Sequence, residues 1–369
     1  MRKIFRHLHL WISIPFGLVI VVICFTGALL VFEKEITDIV TSDMRTVEQT
    51  GSPIPMGQLV DVVSRTLPDD VKVAGVAVSC EPNEAYKITL SKPRHAAVYV
   101  NQYTGEIIGK YERLPFFRTT MRLHRWLMDS NPGKDRVFWG KIIVGISTIA
   151  FVLLLVTGFV VWWPRNRKML KNRLNIVFSK GKNRLWYDLH VAGGFYVSLL
   201  LLAIALTGLT WSFKWYNNAF YDVVAGKEAV VKKENSARGE KKERNVTSGS
   251  EIDVWQKAFD NVVAENPDFN QVTVSDGTVT LSKRFVFGNY RASDRYGFSK
   301  SDGDIVSETL YKDSDRRSKA RGWVYSIHTG LWGGLFSQLL TFFAALLGAT
   351  LPLTGYYFWI KRLYGKRKK

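Results

Sequence analysis

The chain has 369 residues, a formal net charge of +19 and 47% hydrophobic residues. Its length allows two or three ordinary domains. In a soluble protein so basic a composition would indicate nucleic-acid binding, but here the basic residues flank long apolar runs, which favours a lipid bilayer as the partner and no nucleic acid.

Cysteine usage excludes several kinds of metal site. Cys24 lies in an apolar run and Cys80 in a polar segment, so a disulfide between them is not expected. The sequence has no Cys-x-x-Cys-His, which excludes covalent c-type haem by that signature. Thiolate zinc sites and iron–sulfur clusters also lack their ligands.

The first apolar run predicts a retained membrane span. Residues 10–32 carry no charge and are long enough to cross a hydrocarbon core of about 30 Å. The alternative is a cleaved signal peptide, but the run is longer than a typical h-region, and residues 27–32 contain no small-x-small cleavage site. We therefore assign residues 1–32 to transmembrane helix 1.

Residues 33–120 predict a small α+β module. A helix is expected over residues 55–67. Its apolar face holds Leu59, Val62 and Val63. Alternating stretches predict strands at residues 71–79, 86–90 and 97–100. Residues 99–108 predict a closing hairpin in which Gly105 supplies a positive φ.

Two further spans follow, joined by a short basic loop. Residues 121–163 hold His124 and the second span, which Trp162 and Trp163 end as an interfacial aromatic belt would. Residues 164–189 are predicted to be a cytoplasmic basic loop, and residues 190–213 form the third span.

The second half of the chain repeats this order. Residues 214–326 hold a solvated linker and a second α+β module, and residues 327–369 hold the fourth span and a basic tail. The elements expected there are the linker at 227–250, a helix at 254–264, strands at 272–274 and 279–281, a hairpin at 296–305 and a span at about 331–360. The sequence thus predicts an integral membrane α-helical protein, with four transmembrane helices in two parallel repeats and two extracytoplasmic α+β modules.

A histidine accompanies each apolar run, and each run contains Thr-Gly. His9 precedes Gly27 by 18 residues, and His190 precedes Gly208 by the same number. The other two spacings are longer and unequal, with 34 residues from His124 to Gly158 and 27 from His328 to Gly355.

The predicted topology pairs these histidines. Basic residues at the N-terminus, in the loop and at the C-terminus place both termini in the cytoplasm. His9 and His190 then open spans that begin inside, whereas His124 and His328 precede spans that begin outside. Bis-histidine haem needs two neutral imidazoles on opposite sides of the iron, which facing helices supply. We expect His9 and His190 to ligate a cytoplasmic-side haem iron, and His124 and His328 a periplasmic-side one.

Simpler interpretations stay open for these and other residues. A lone histidine at the edge of a span is usually an interfacial polar residue. The glycines of the runs equally permit close helix packing or give a flat macrocycle room to approach. Arg6, Arg125 and Arg184 are candidates to pair with haem propionates. His7 lies on a different helix face from His9, and His95 is placed in a strand region.

Several motifs resemble a known family. Tyr103-Thr104-Gly105-Glu106 closes the first module as in PepSY domains. Leu8-His9-Leu10-Trp11, the Thr-Gly pairs and Trp162-Trp163-Pro164-Arg165 resemble the PepSY-associated transmembrane helix family. That family includes siderophore reductases of the ferrioxamine-reductase type. The resemblance implies a bacterial inner-membrane location, two non-covalent b-type haems and reduction of ferric siderophores in the periplasm. The second module departs from it, with Ser301-Asp302-Gly303-Asp304 in place of Thr-Gly-Glu.

These observations predict a di-haem inner-membrane electron-transfer protein that reduces a ferric siderophore on the periplasmic side. No Gly-x-Gly-x-x-Gly follows a strand, so the electron donor is expected to be a quinol or a cytoplasmic reductase. One alternative is a non-enzymatic, membrane-anchored PepSY protein that regulates a peptidase. Another is a component of siderophore or haem uptake, although no charged residue lies within a span to mark a pathway.

Overall fold

The computed structural model describes residues 2–130, 133, 136–226, 249–283 and 285–366. The predicted linker at 227–250 lies outside the described residues, except for Gly249 and Ser250, which begin a helix. The chain divides into two compact units. The membrane unit comprises Met1–Glu33, Pro115–Val224 and Trp323–Lys369, and the sheet unit comprises Lys34–Leu114 and Ala225–Gly322.

Thirteen α-helices are assigned within the described residues. They are α1 (Arg2–Val31), α2 (Glu33–Val40), α3 (Ser42–Arg45), α4 (Met56–Ser64), α5 (Pro115–Trp126), α6 (Trp139–Trp162), α7 (Arg167–Leu174), α8 (Lys182–Asp188), α9 (Gly194–Ser212), α10 (Lys214–Val224), α11 (Gly249–Glu265), α12 (Arg316–Thr329) and α13 (Gly334–Lys366). The π-helical turn Leu189–Gly193 joins α8 to α9, and a 3₁₀ turn covers Tyr311–Asp313.

Among the described residues of the membrane unit, four helical segments are long and apolar enough to cross a bilayer. They are Arg2–Val31, Trp139–Trp162, Lys182–Ser212 and Gly334–Tyr364. The chain is therefore an integral membrane protein with several spans, as predicted. The third segment begins eight residues before the predicted start at residue 190, because α8 continues through the π-helical turn into α9.

Small residues allow the spans to approach closely. The α1 helix packs along α13 and α6. Gly17 lies beneath the ring of Tyr356, and Gly348 lies against Leu201 and Cys24. Close backbone approach of this kind is the usual source of helix association in lipid, where burial of apolar surface gives no driving force.

The described residues of the sheet unit form one antiparallel sheet of eight strands. The strands are β1 (Val73–Ser79), β2 (Tyr86–Leu90), β3 (Ala97–Val100), β4 (Ile107–Tyr111), β5 (Gln271–Ser275), β6 (Thr278–Ser282), β7 (Ser293–Phe298) and β8 (Ile305–Thr309). Their order is β4-β3-β2-β1-β5-β6-β7-β8. The strands predicted for the two halves of the chain thus meet at β1 and β5, where Val76 is opposite Val274. Both predicted closing hairpins form, with positive φ at Gly105 and Gly303.

The sheet is covered by α4 and α11, and one detail of the predicted core is wrong. Leu59, Val60 and Val63 of α4 are buried in the core cluster with Trp255. Val62, which was assigned to the apolar face, is 40% exposed. The spacing i, i+1, i+4 selects residues 59, 60 and 63 for one side of a helix, which leaves residue 62 beside the packed surface.

Two helices that the sequence did not predict carry histidines. His124 lies in α5 and His328 in α12, each just before a span. After α5 the chain leaves the helical conformation at Leu127 and Met128, which both have positive φ. Such φ values end a helix, so α5 is separate from the span α6 that follows it.

Candidate functional site

Four histidines of the membrane unit form two pairs. The ring centroids of His9 and His190 are 6.4 Å apart, and the planes are perpendicular. The centroids of His124 and His328 are 6.2 Å apart, with the planes at 57°. We call these the His9 pair and the His124 pair. Each joins one histidine from the N-terminal half of the chain with one from the C-terminal half, in the combination expected from topology.

The two pairs lie toward opposite ends of α1. His9 lies near the N-terminal end of this helix, and His124 contacts Thr26 near its C-terminal end. Seventeen residues separate residues 9 and 26, which corresponds to about 26 Å along an α-helix. The 18-residue spacing from His9 to Gly27 therefore corresponds to the distance between the two pairs along α1, because Gly27 lies against His124.

In the His124 pair, each ring is held by hydrogen bonds from Nδ1 to a span. His124 Nδ1 lies 2.9 Å from the carbonyl oxygen of Ile23 and 3.1 Å from Thr26 Oγ1. His328 Nδ1 makes the same two contacts on α9. Its distances are 2.9 Å to the carbonyl oxygen of Ile204 and 3.4 Å to Thr207 Oγ1.

The His9 pair repeats this arrangement on α6 and α13. His190 Nδ1 lies 3.1 Å from the carbonyl oxygen of Leu351 and 2.8 Å from Thr354 Oγ1. His9 Nδ1 lies 3.0 Å from Thr157 Oγ1, and His9 also hydrogen-bonds the backbone of Leu154. In all four cases the carbonyl belongs to the residue three positions before the threonine.

These contacts fix the tautomer of each ring. A carbonyl oxygen only accepts, so Nδ1 must carry the proton and donate it. Nε2 is then unprotonated, with its lone pair free for a metal ion. Metal-binding histidines usually have this second hydrogen bond from the other ring nitrogen to a carbonyl or carboxylate.

The glycine of each Thr-Gly completes the contact with the histidine. A β-carbon added at the glycine would lie close to Cε1 of the ring: 3.1 Å at Gly27, 3.2 Å at Gly158, 2.8 Å at Gly208 and 3.8 Å at Gly355. The sequence left open whether these glycines serve helix packing or the approach of a macrocycle. In the structure these four face histidine rings, whereas Gly17 and Gly348 serve helix packing.

The histidines do not contact the Thr-Gly of their own runs, although the sequence pattern associates them. His9 contacts Thr157-Gly158 of the second run, and His124 contacts Thr26-Gly27 of the first. The second half has the same exchange, in which His190 contacts Thr354-Gly355 and His328 contacts Thr207-Gly208. Each half of the chain therefore positions both of its own histidines.

The geometry of both pairs fits two axial ligands of one metal ion. A metal–imidazole nitrogen bond is about 2.0–2.1 Å long, so two rings on opposite sides of an ion have centroids roughly 6 Å apart. Among the described residues, no group of three or more His, Cys, Asp or Glu side chains is placed to hold a metal ion. Zinc sites take three or four protein ligands. Two histidines alone suit an iron whose other ligands come from a porphyrin.

In the His124 pair, which lies outside the spans, burial favours the neutral form of both imidazoles. Burial lowers the pKa of His124 to about 4, and the neighbouring His328 lowers it as well. Burial also lowers the pKa of His328. A neutral imidazole is the form that binds a metal ion.

The remaining candidates lie away from the two pairs or have other partners. His7 is exposed on α1. His95 lies exposed in the turn between β2 and β3, within the predicted strand region, and has a positive φ of 69°. The guanidinium of Arg125 lies over the ring of Trp126. Arg184 forms an ion pair with the buried Asp188.

Trp211 lies at the His124 pair and was not predicted from the sequence to be a site residue. The ring centroid of Trp211 lies 5.0 Å from that of His328, in an edge-to-face arrangement. Trp211 follows Thr207 by four residues and so lies on the same face of α9. That spacing would have identified Trp211 once the threonine was known to contact a histidine.

A comparison with known families agrees with these features. The family model described as the PepSY-associated TM region matches residues 6–362. None of the curated proteins compared with the chain matches it. The chain belongs to the PepSY-associated transmembrane family.

Proposed function

We propose that this protein carries electrons across the bacterial inner membrane through two haems and reduces a ferric siderophore on the periplasmic side. The observation that carries the proposal is the presence of two histidine pairs, the His9 pair and the His124 pair. Each has two rings about 6 Å apart, and each ring keeps Nε2 unprotonated through its Nδ1 hydrogen bonds.

Two non-covalent b-type haems are the proposed cofactors. His9 and His190 would hold one, and His124 and His328 the other. When bound, haem would supply one-electron chemistry, and the chain would supply two histidine ligands for each iron, their orientation and burial from water. The absence of a Cys-x-x-Cys-His motif agrees with non-covalent binding.

The placement of the pairs supports transfer through the membrane. They lie about 26 Å apart along α1, a distance close to the thickness of the hydrocarbon core. One centre near each end of the spans would give the electron a site of entry and a site of exit on opposite sides of the membrane. The donor is a quinol or a cytoplasmic reductase, and it loses one electron for each Fe(III) that becomes Fe(II).

The choice of substrate rests on the family resemblance and on the chemistry of iron. Siderophores bind Fe(III) through hard oxygen donors. Fe(II) is softer and less charged, and such ligands bind it less well. Delivery of one electron at the periplasmic face therefore releases the iron without a further catalytic group on the protein.

The proposed topology has cytoplasmic termini and two parallel repeats. Basic residues near the ends of the spans support this orientation. The repeats are supported by the matched contacts of the two halves, since α1, α5 and α6 are arranged with their histidines as α9, α12 and α13 are. The hairpins closed by Gly105 and Gly303 support a PepSY-like origin for both halves of the sheet.

An absorption spectrum of the purified full-length protein tests the proposal. After expression with sufficient haem, we expect a Soret band, two haems per chain and reoxidation of the reduced protein by a ferric trihydroxamate chelate. A chain that lacks a Soret band would contradict the haem assignment and favour the peptidase-regulator alternative. A haem-loaded protein that no ferric chelate reoxidises would contradict the substrate. The variant H9A/H124A, which breaks both pairs, is the control for non-specific haem.

A further inference from the structure

We infer that Thr26, Thr157, Thr207 and Thr354 are positioning residues for the four histidines, and this inference rests on the proposed function. Each threonine hydroxyl accepts a hydrogen bond from Nδ1–H of one histidine, beside the carbonyl that fixes the tautomer, and so holds the orientation of that ring.

The same contact occurs four times. The distances from threonine Oγ1 to histidine Nδ1 are 3.0, 3.1, 2.8 and 3.4 Å for His9, His124, His190 and His328. All four threonines are buried, at 2–5% exposure. A buried hydroxyl needs a hydrogen-bond donor as well as an acceptor to be satisfied, and the ring supplies the donor.

The single proton of each hydroxyl is already used within its own helix. Thr26 Oγ1 donates to the carbonyl oxygen of Val22 at 2.6 Å, and Thr207 Oγ1 donates to that of Ala203 at 2.8 Å. A hydroxyl that donates its proton in this direction presents an oxygen lone pair to a neighbouring ring. The threonine therefore acts as an acceptor for Nδ1–H, and the neutral tautomer that carries its proton on Nε2 would lose this hydrogen bond.

In membrane helices a threonine hydroxyl commonly donates to a backbone carbonyl one turn earlier in its own helix. This contact alone would indicate a structural role and no contact with a ligand. Thr210 illustrates that case. Its hydroxyl donates to the carbonyl oxygen of Thr207 at 2.7 Å, and it is 5% exposed, as is Thr207. Within the described part of the chain, the Thr210 hydroxyl forms no hydrogen bond with a histidine. Thr207 and Thr210 thus differ in the contact with His328, while their burial and helix are the same.

The inference predicts a difference between these two threonines. Loss of an outer partner of a metal-bound histidine usually lowers metal affinity or activity about 10- to 100-fold. We expect Thr207→Val to weaken haem binding by the His124 pair by about this factor, and to shift its reduction potential and its low-spin electron paramagnetic resonance signal. Thr207→Ser retains the hydroxyl and should restore all three properties. Thr210→Val should leave them unchanged.

The experiment is a haem titration of the detergent-solubilised full-length protein, followed by potentiometry and electron paramagnetic resonance. Thr354→Val, which removes the shortest of the four contacts, gives the same test at the His9 pair. Equal affinity, potential and spectrum for Thr207→Val, Thr354→Val and the wild type would overturn the inference while the haem assignment stands. A wild-type protein that binds no haem would instead overturn the proposed function.

Discussion

The ring of His328 lies so close to Gly208 that a β-carbon on this glycine would be 2.8 Å from its Cε1. The corresponding distance between His190 and Gly355 is 3.8 Å, which is an ordinary van der Waals contact. The four Thr-Gly pairs are alike in sequence, but their tolerance of an added methyl group is therefore expected to differ.

Gly208→Ala should displace His328 and weaken haem binding by the His124 pair. An overpacked contact costs about 1–3 kcal/mol, which corresponds to roughly 5- to 150-fold in affinity. Gly355→Ala should leave haem binding by the His9 pair close to that of the wild type. Haem titration of the two variants measures both effects. Equal losses in the two variants would show that the glycines are required for a reason other than contact with the ring.

Removal of histidines in combinations tests the pairing. His9→Ala and His190→Ala should each remove the same haem, so the double variant H9A/H190A retains one haem per chain. H124A/H328A should also retain one. The mixed variant H9A/H124A should retain none, because each pair loses a ligand. Haem per chain, from absorbance against protein concentration, distinguishes these outcomes. One retained haem in H9A/H124A would contradict the observed pairing.

The sequence predicts the spans, the strands and the combination of the histidines well, because these depend on local patterns and on the order of spans. Long uncharged runs identify membrane helices, and counting them places His9 with His190 and His124 with His328. The Thr-Gly that each histidine ring contacts could not be predicted from the sequence. A histidine and a Thr-Gly occur together in each run, but in the structure each histidine contacts the Thr-Gly of a different run.

The exchange of partners could not be predicted because it depends on tertiary packing. Residues 9 and 26 lie on one helix about 26 Å apart, so no conformation of that helix brings them together. Thr157 reaches His9 because α6 packs along α1. The pairing of β1 with β5 is similar, since residues 76 and 274 are distant in sequence and neither strand carries a signal that selects its neighbour.

A buried carboxylate in the sheet unit provides a test of local stability. Asp294 is 2% exposed; its carboxylate accepts a hydrogen bond from the Tyr311 backbone N–H at 2.6 Å and pairs with Lys283 at 3.1 Å. Asp294→Ala leaves these donors without their acceptor, which costs about 1–3 kcal/mol. We expect faster hydrogen exchange in β7 and β8 of the full-length protein.

The exposed ion pair between Asp276 and Lys300 is the control for Asp294→Ala. Asp276 is 71% exposed, so Asp276→Ala should leave hydrogen exchange of β7 and β8 unchanged. An equal effect of the two alanine substitutions would mean that the burial of Asp294 does not contribute to the stability of this edge of the sheet.

The contact between Tyr356 and α1 provides a test of span packing that is separate from haem. The Tyr356 hydroxyl donates to the carbonyl oxygen of Ile14 at 2.7 Å, and a β-carbon on Gly17 would lie 2.5 Å from the same hydroxyl oxygen. Tyr356→Phe removes a hydrogen bond between membrane helices, worth about 0.6–2 kcal/mol. Gly17→Ala forces the tyrosine ring to move and should lower stability further.

Because the hydroxyl is the atom nearest to the added methyl group, the two substitutions should be coupled. Gly17→Ala should lower the melting temperature less in the Tyr356→Phe background than in the wild type, and a double-mutant cycle measures the difference. Haem content serves as the internal control, since both residues lie outside the Thr-Gly contacts and two haems per chain should remain. Additive effects on the melting temperature would show that Gly17 and Tyr356 stabilise the α1–α13 interface independently, contrary to the observed contact.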